Sequence, residues 1–349
     1  MMLQTQSFLL YPSLESPVTG KIAFSGVVAA VLFLSAAWCG AGVAQAAEPR
    51  VPVILDTDIG DDIDDTWALV MLLKSPQLDL KLVTTTCGKA EYRAKIIARL
   101  LTVAKRTDIP IGLGAGGRSG TGKQEPWVKD YRLSDYPGKV RDDGVAAMVE
   151  AVDSSPEPVR IISIGPLHTI AAALGREPGM ATKAIFVGMD GCIRKGYQGG
   201  KPLPEYNVKA NVPASQRVFA APWREARITP LDTCGLVRLE GKRFQSLVES
   251  DDPLVKALVE NYRIWSRKDN VTTSSTLFDT VAVYLALPGP KLLVKMEELP
   301  LRVSAEGATV IDPSGRKVQA ATEWSSLDGY YDLLTKTLLE GRVLPAAAK

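Results

Sequence analysis

Short, continuously apolar runs that alternate with helical patterns constrain the fold of this chain more than any other feature. "VPVIL", starting at Val51, reads as a strand, Thr66–Lys74 as a helix, "LKLVTTT" as a strand and Ala90–Arg106 as a helix. "IPIGLG" then reads as a strand, Asp143–Ser154 as a helix, "VRIISIG" as a strand and Leu167–Leu174 as a helix, followed by strands at "KAIFVG" and "ARITPLD". Strands with no polar alternation are buried on both faces. The pattern therefore predicts an α/β fold, a mostly parallel central sheet with helices on both faces. Proline and glycine are scattered between elements rather than gathered into a linker, so residues 47–349 read as a single domain. Two long loops, Gly114–Arg141 and Met189–Glu205, stand out, because loops of that length in a compact domain are usually functional. After Asp312 the sequence predicts two short strands or turns. An amphipathic helix, "SSLDGYYDLLTKTLLEG", follows and is expected to pack or to make a dimer contact in a homo-oligomer.

In open parallel sheets, ligands bind outside the carboxyl ends of the strands. Four polar segments fall there: "DTDIGDDIDD" after the first strand, "CGK" (Cys87–Lys89) after the second, "GPLH" (Gly165–His168) and "GMDG" (Gly188–Gly191). The first holds Asp56, Asp58, Asp61, Asp62, Asp64 and Asp65. Such crowding is repulsive, and a hard divalent cation caged by carboxylates and a backbone carbonyl would cancel it. Other readings explain less. Capping and dipole effects at a helix N-terminus account for Asp64 and Asp65 only. An EF-hand loop counted from Asp56 would need Gly and Glu where Asp61 and Trp67 stand. An aspartyl-phosphate phosphatase would make Asp56 the nucleophile, but leaves "DDIDD" without a role.

Composition bounds the function classes. At 46% hydrophobic and 23% charged residues with a net charge of +2, the chain has no sign of disorder or of a nucleic-acid partner. Its single histidine, His168, excludes metal sites built on several imidazoles. Lys21 precedes an apolar stretch that ends in small residues, with Ala44-Gln45-Ala46 as a cleavage site. Residues 1–46 therefore read as a signal peptide, which predicts a periplasmic or secreted chain with no stable membrane insertion after cleavage. Cys87, Cys192 and Cys234 remain after it, without metal-ligand spacing, and read as small hydrophobes.

"DTDIGDDIDDTWAL" resembles the N-terminal signature of the inosine–uridine-preferring nucleoside hydrolases, and further segments follow in order. "LVTTTCGKAEYRAKIIARLL", "DIPIGLGAG", "IISIGPLHTIAAAL", "LPEYNVKANVPAS" and "STLFDTVAVYLA" are each similar to family segments, so the resemblance spans nearly all of the mature chain. It implies that family's Rossmann-like open sheet and calcium-dependent hydrolysis of the N-glycosidic bond of ribonucleosides. Asp58, Asp65 and Asp279, with the backbone carbonyl of His168, would hold Ca²⁺. Asp58 would also deprotonate the attacking water. Asp64 and Asn207 would hold ribose hydroxyls, Glu205 the 5′-hydroxyl end, and Tyr206 a wall of the sugar pocket.

The sequence also departs from the family pattern. Asp64-Asp65 is aligned with the signature's aspartate pair because "TWAL" follows, with Asp61-Asp62 as the alternative pair. Lys89 stands where the family has a ribose-binding Asn, which would put an ammonium near the metal. Phe278 replaces the His that protonates the leaving base in some members, and Asn211 replaces the Asp of Asp-Pro. Trp265 and the aromatic loop "PWVKDY" (Pro126–Tyr131) are candidates for a base or sugar pocket. Lys89 and Phe278 point to a second class, a repurposed nucleoside or carbohydrate binder of the same fold.

Overall fold

A computed structural model of the chain describes residues 50–289 and 292–345, so the expected signal peptide lies outside the described residues. The strands are β1 (Val51–Thr57), β2 (Leu78–Thr85), β3 (Ile111–Gly112), β4 (Val140–Arg141) and β5 (Val159–Ser163). They continue with β6 (Ala184–Gly188), β7 (Glu225–Ile228), β8 (Val294–Val303), β9 (Thr309–Ile311) and β10 (Arg316–Trp324). All join one sheet in the order β4-β3-β2-β1-β5-β6-β7-β10-β8-β9. Every pairing from β4 to β10 is parallel, whereas β8 pairs antiparallel with both β10 and β9.

Both faces are covered, as unbroken apolar strands require. Along β1, Val53 and Leu55 enter one core and Ile54 the other. The first core packs under the helices Asp64–Leu73, Ala90–Val103, Pro253–Ser266, Phe278–Leu285 and Leu327–Glu340. The second packs under Gly144–Asp153, His168–Arg176 and Val212–Ala220. No helix of the described residues is long and apolar enough to cross a membrane.

The chain winds outward from β1 through β2 to β4, then returns to place β5 on the other side of β1. This reversal opens a crevice between the carboxyl ends of β1 and β5. Register keeps those ends level, with Asp56 opposite Ser163 and Ser163 opposite Gly188. The segments after β1, β5 and β6 therefore leave the sheet side by side.

Several boundaries differ from expectation. The first helix starts at Asp64, so Asp64 and Asp65 occupy its first turn, and neither caps it. The second ends at Val103, before Lys105 takes a positive φ. "IPIGLG" keeps only two residues in the sheet, and "ARITPLD" leaves it at Ile228, before Pro230. The tail expected as two short strands contains β10, nine residues long and lodged between β7 and β8. The last helix does pack inward: Tyr330, Leu334 and Leu338 are buried, and the Tyr330 hydroxyl bonds Thr280 Oγ1 at 2.8 Å.

Candidate active site

The aspartate-rich loop after β1 is held by side chains from other elements. The buried guanidinium of Arg93 donates to the carbonyls of Asp58 and, at 2.9 Å, Ile59. Tyr92 Oη donates to Gly60 O at 2.9 Å, Trp265 Nε1 to Asp61 O at 3.1 Å, and Gln124 Nε2 to Asp62 O at 3.1 Å. Five consecutive carbonyls thus have partners, as a buried loop demands. Gly60 turns the chain at φ +117°, a conformation that side-chain-bearing residues rarely adopt. Across the crevice Gly165 must lack a side chain, because a Cβ there would sit 2.7 Å from Asp58 Oδ1.

This loop and the helix Phe278–Leu285 gather Asp64, Asp65 and Asp279, with carboxylate oxygens within 4.8 Å of one another. The three are 5%, 2% and 3% exposed, so their mutual repulsion is not screened by water. Burial, and then the neighbouring carboxylates, push all three pKa values well above the ordinary range. Asp58 stands beside the triad, and its charge helps to raise Asp65 and Asp279. Its own pKa is pushed up to about 6 by burial, against the opposing charge of Arg93. Thr57 Oγ1 donates to Asp65. Arg93 pairs with Asp61 at 3.0 Å rather than with the triad. Oxygen-only donors, buried and without a cationic partner of their own, fit a hard divalent cation.

Asp58 and the triad share a cavity of about 480 Å³ with Glu205, Tyr206, Asn207, Tyr197, Phe278 and Lys123. Glu205 is buried and caps the helix Tyr206–Lys209, accepting from the N–H groups of Asn207, Val208 and Gly191. Burial still outweighs those bonds and raises its pKa to about 7. Asn207 Nδ2 donates to Met189 O at 3.0 Å, tying the loop after β6 to this wall. Tyr206 is 64% exposed and forms part of the rim. Phe278 packs against Tyr197 with ring centroids 5.8 Å apart.

The structure brings Asp58, Asp64, Asp65, Glu205, Tyr206, Asn207, Phe278 and Asp279 together, but separates other expected residues. Asp64, expected at the sugar, lies inside the tight carboxylate group, whereas Asp58 borders it. Asp61 is half-buried and ion-paired, and Asp62 is exposed, so the alternative pair is not the one that converges on Asp279. Lys89 is not among the lining residues, because its ammonium pairs with Asp61 at 2.6 Å. The cation on the cavity wall is Lys123, from the long loop Gly114–Arg141. His168 opens the helix after β5 and does not line the cavity.

Trp127 of the aromatic loop is also elsewhere: it is buried, donates to Glu260 at 3.1 Å and lines a separate cavity. Asp56, the would-be phosphatase nucleophile, is fully buried and bonded by Thr84 Oγ1 at 2.6 Å. A nucleophile must reach its substrate, so that reading fails. Cys87, Cys192 and Cys234 are free thiols. Sequence reasoning missed Arg93, Tyr197 and Lys123; only the length of the two loops marked the segments that carry the last two.

A family model described as inosine-uridine preferring nucleoside hydrolase matches residues 53–328. The pyrimidine-specific ribonucleoside hydrolase RihA of Escherichia coli is 31% identical over 188 residues, 48% of this chain and 57% of the relative. The match therefore spans little more than half of that relative's length. Among solved structures, a plant nucleoside hydrolase superposes with a TM-score of 0.70 at 21% identity, covering 83% of this chain and 99% of its own. An inosine-uridine preferring nucleoside hydrolase from Bacillus anthracis does so with a TM-score of 0.67 at 19% identity, covering 83% and 100%. At those identities the two structures establish a shared α/β fold.

Proposed function

Because the chain belongs to the inosine-uridine preferring nucleoside hydrolase family, we propose that it hydrolyses the N-glycosidic bond of ribonucleosides, releasing base and ribose. The observation that carries this reading is Asp58 beside the buried Asp64–Asp65–Asp279 triad, in one cavity with Glu205 and Asn207. Ca²⁺ is the cation this reading assigns, and Asp64, Asp65 and Asp279 of the buried cluster, with Asp58 beside them, would hold it; the His168 carbonyl, expected as a fourth ligand, does not line this cavity. When bound, it supplies the missing positive charge and makes nearby water more acidic.

The residues divide the remaining work. Asp58, beside the carboxylate cluster and lining the same cavity, is the group placed to take a proton from an attacking water. Asn207 and Asp64 offer hydrogen-bonding groups to ribose hydroxyls, and Glu205 to the 5′-hydroxyl end. As the glycosidic bond breaks, positive charge develops on the sugar. The surrounding carboxylates stabilise it in a site already shaped for that charge. Phe278, at the end where the base departs, shields that region from water but cannot donate a proton.

The same reading takes residues 1–46 as an export signal and the mature chain as periplasmic or secreted, supported by the apolar stretch and Ala44-Gln45-Ala46. N-terminal sequencing of the exported chain should begin near Ala47.

The function is tested by assaying free ribose released from a panel of nucleosides by purified mature protein with calcium. Turnover by the wild type, lost in Asp58→Asn and on chelation, is the expected result. Tight nucleoside binding without ribose release would instead identify a repurposed binding protein.

A further inference from the structure

We infer that a second chamber, adjoining the carboxylate cavity, selects ribosides whose leaving group carries a negatively charged substituent; this rests on the riboside-cleaving reading above. The chamber has a volume of about 650 Å³, and Asp62, Lys123, Tyr197 and Phe278 line both spaces. Those shared walls make the two cavities neighbours. The sugar-facing residues Glu205 and Asn207 line only the first, so a leaving group that extends past Phe278 enters the second.

The charge of this chamber is opposite to that of the first. Its charged lining is Lys123, Arg238 and Lys268 against the single carboxylate of Asp62. Arg238 is partly neutralised by Glu240 at 3.2 Å and bonds Thr273 Oγ1 at 3.0 Å. Lys123 lies over the Trp265 ring, 5.0 Å from its centroid, and neither it nor Lys268 forms an ion pair among the described residues. Two unpaired ammonium groups, on a wall that also holds the rings of Tyr197 and Phe278, suit a flat heterocycle bearing a carboxylate. A neutral base gains nothing from the ammonium groups. A cationic one is repelled by them.

The test uses free bases, which bind without turnover, so its outcome is independent of whether ribosides are cleaved. Binding of orotate and of uracil to the calcium-loaded full chain is measured by titration calorimetry. An exposed ion pair contributes about a three-fold change in affinity, so two lysines favour orotate by about ten-fold at low salt. That preference should fall about three-fold in Lys268→Gln, return in Lys268→Arg, and shrink at about 0.5 M salt. Equal or weaker binding of orotate, no measurable binding of orotate, or a preference untouched by Lys268→Gln would each overturn the inference. Hydrolysis of p-nitrophenyl riboside by the same preparation reports separately on the riboside-cleaving reading.

Discussion

The guanidinium of Arg93 donates to the main-chain carbonyl of Asp58, so a fully buried arginine positions the candidate base through its backbone. The same group bonds Ile59 O, Gly88 O and the Asp61 carboxylate. One planar fork therefore joins the loop after β1 to the loop after β2. A lysine could supply the charge but not the several directions of donation.

Arg93→Lys should consequently lower stability by about 3 kcal/mol, because several buried acceptors lose their donors together. Calcium affinity should fall as well, since the loop that presents Asp58 loses its anchor. Thermal melts and calcium titration check both. An unchanged melting temperature with unchanged affinity would reduce Arg93 to a packing residue.

Calcium content should distinguish the two aspartate pairs. Asp65→Asn removes a carboxylate from the buried triad and should abolish tight binding, as should Asp279→Asn. Asp62→Asn should retain the ion, because Asp62 is exposed and outside the triad. Metal analysis after dialysis reads the result directly. Loss in Asp62→Asn with retention in Asp65→Asn would reverse the assignment.

Much of this site was legible because its determinants are local. Unbroken apolar runs announce a sheet buried on both faces, and six aspartates at the end of one run announce a charge that must be cancelled. Arg93 was not legible: it lies 35 residues beyond Asp58 in the first turn of the helix Ala90–Val103, and an arginine on a helix ordinarily faces water. The misplacement of Lys89 has the same origin. Sequence puts it after the right strand, but Asp61, four residues before Asp65, captures its ammonium. β8 was missed because its residues "VKMEELPLRV" include charges and a proline, which a strand near the edge of the sheet tolerates. Such features depend on which distant residues meet in the fold, and a pattern read along the chain does not contain them.

The raised carboxyl pKa values give the metal-free protein an inverted pH response. A carboxyl whose folded pKa exceeds its unfolded value holds its proton more tightly when folded. Its stabilising contribution is then full below the unfolded value and is lost as pH rises through the folded value. For Asp58 the window runs from 3.8 to about 6, and for Glu205 from 4.5 to about 7. Asp64, Asp65 and Asp279 shift in the same direction. Chelated protein should therefore melt higher at pH 5 than at pH 7.5. Added calcium should stabilise it far more at pH 7.5, where fewer protons must leave before the ion binds. A calcium effect equal at both pH values would contradict binding by these carboxyls.

Catalysis should depend on the leaving group, because Phe278, which lines the cavity, has no proton to give a departing base. A positioned acid contributes about 10²–10⁴-fold. The only histidine in the chain, His168, does not line the cavity. p-Nitrophenyl riboside, whose leaving group departs without a proton, should therefore be cleaved much faster than inosine or uridine. Phe278→His should raise the rate on natural nucleosides by more than on the activated riboside. The new imidazole would stand against Tyr197, now 5.8 Å from the Phe278 ring centroid, and would face the departing base. Comparable wild-type rates on all these substrates would show that a proton reaches the base by another route. Lys123 and Tyr197 would then be the side chains to replace, because both carry protons and both line the same cavity.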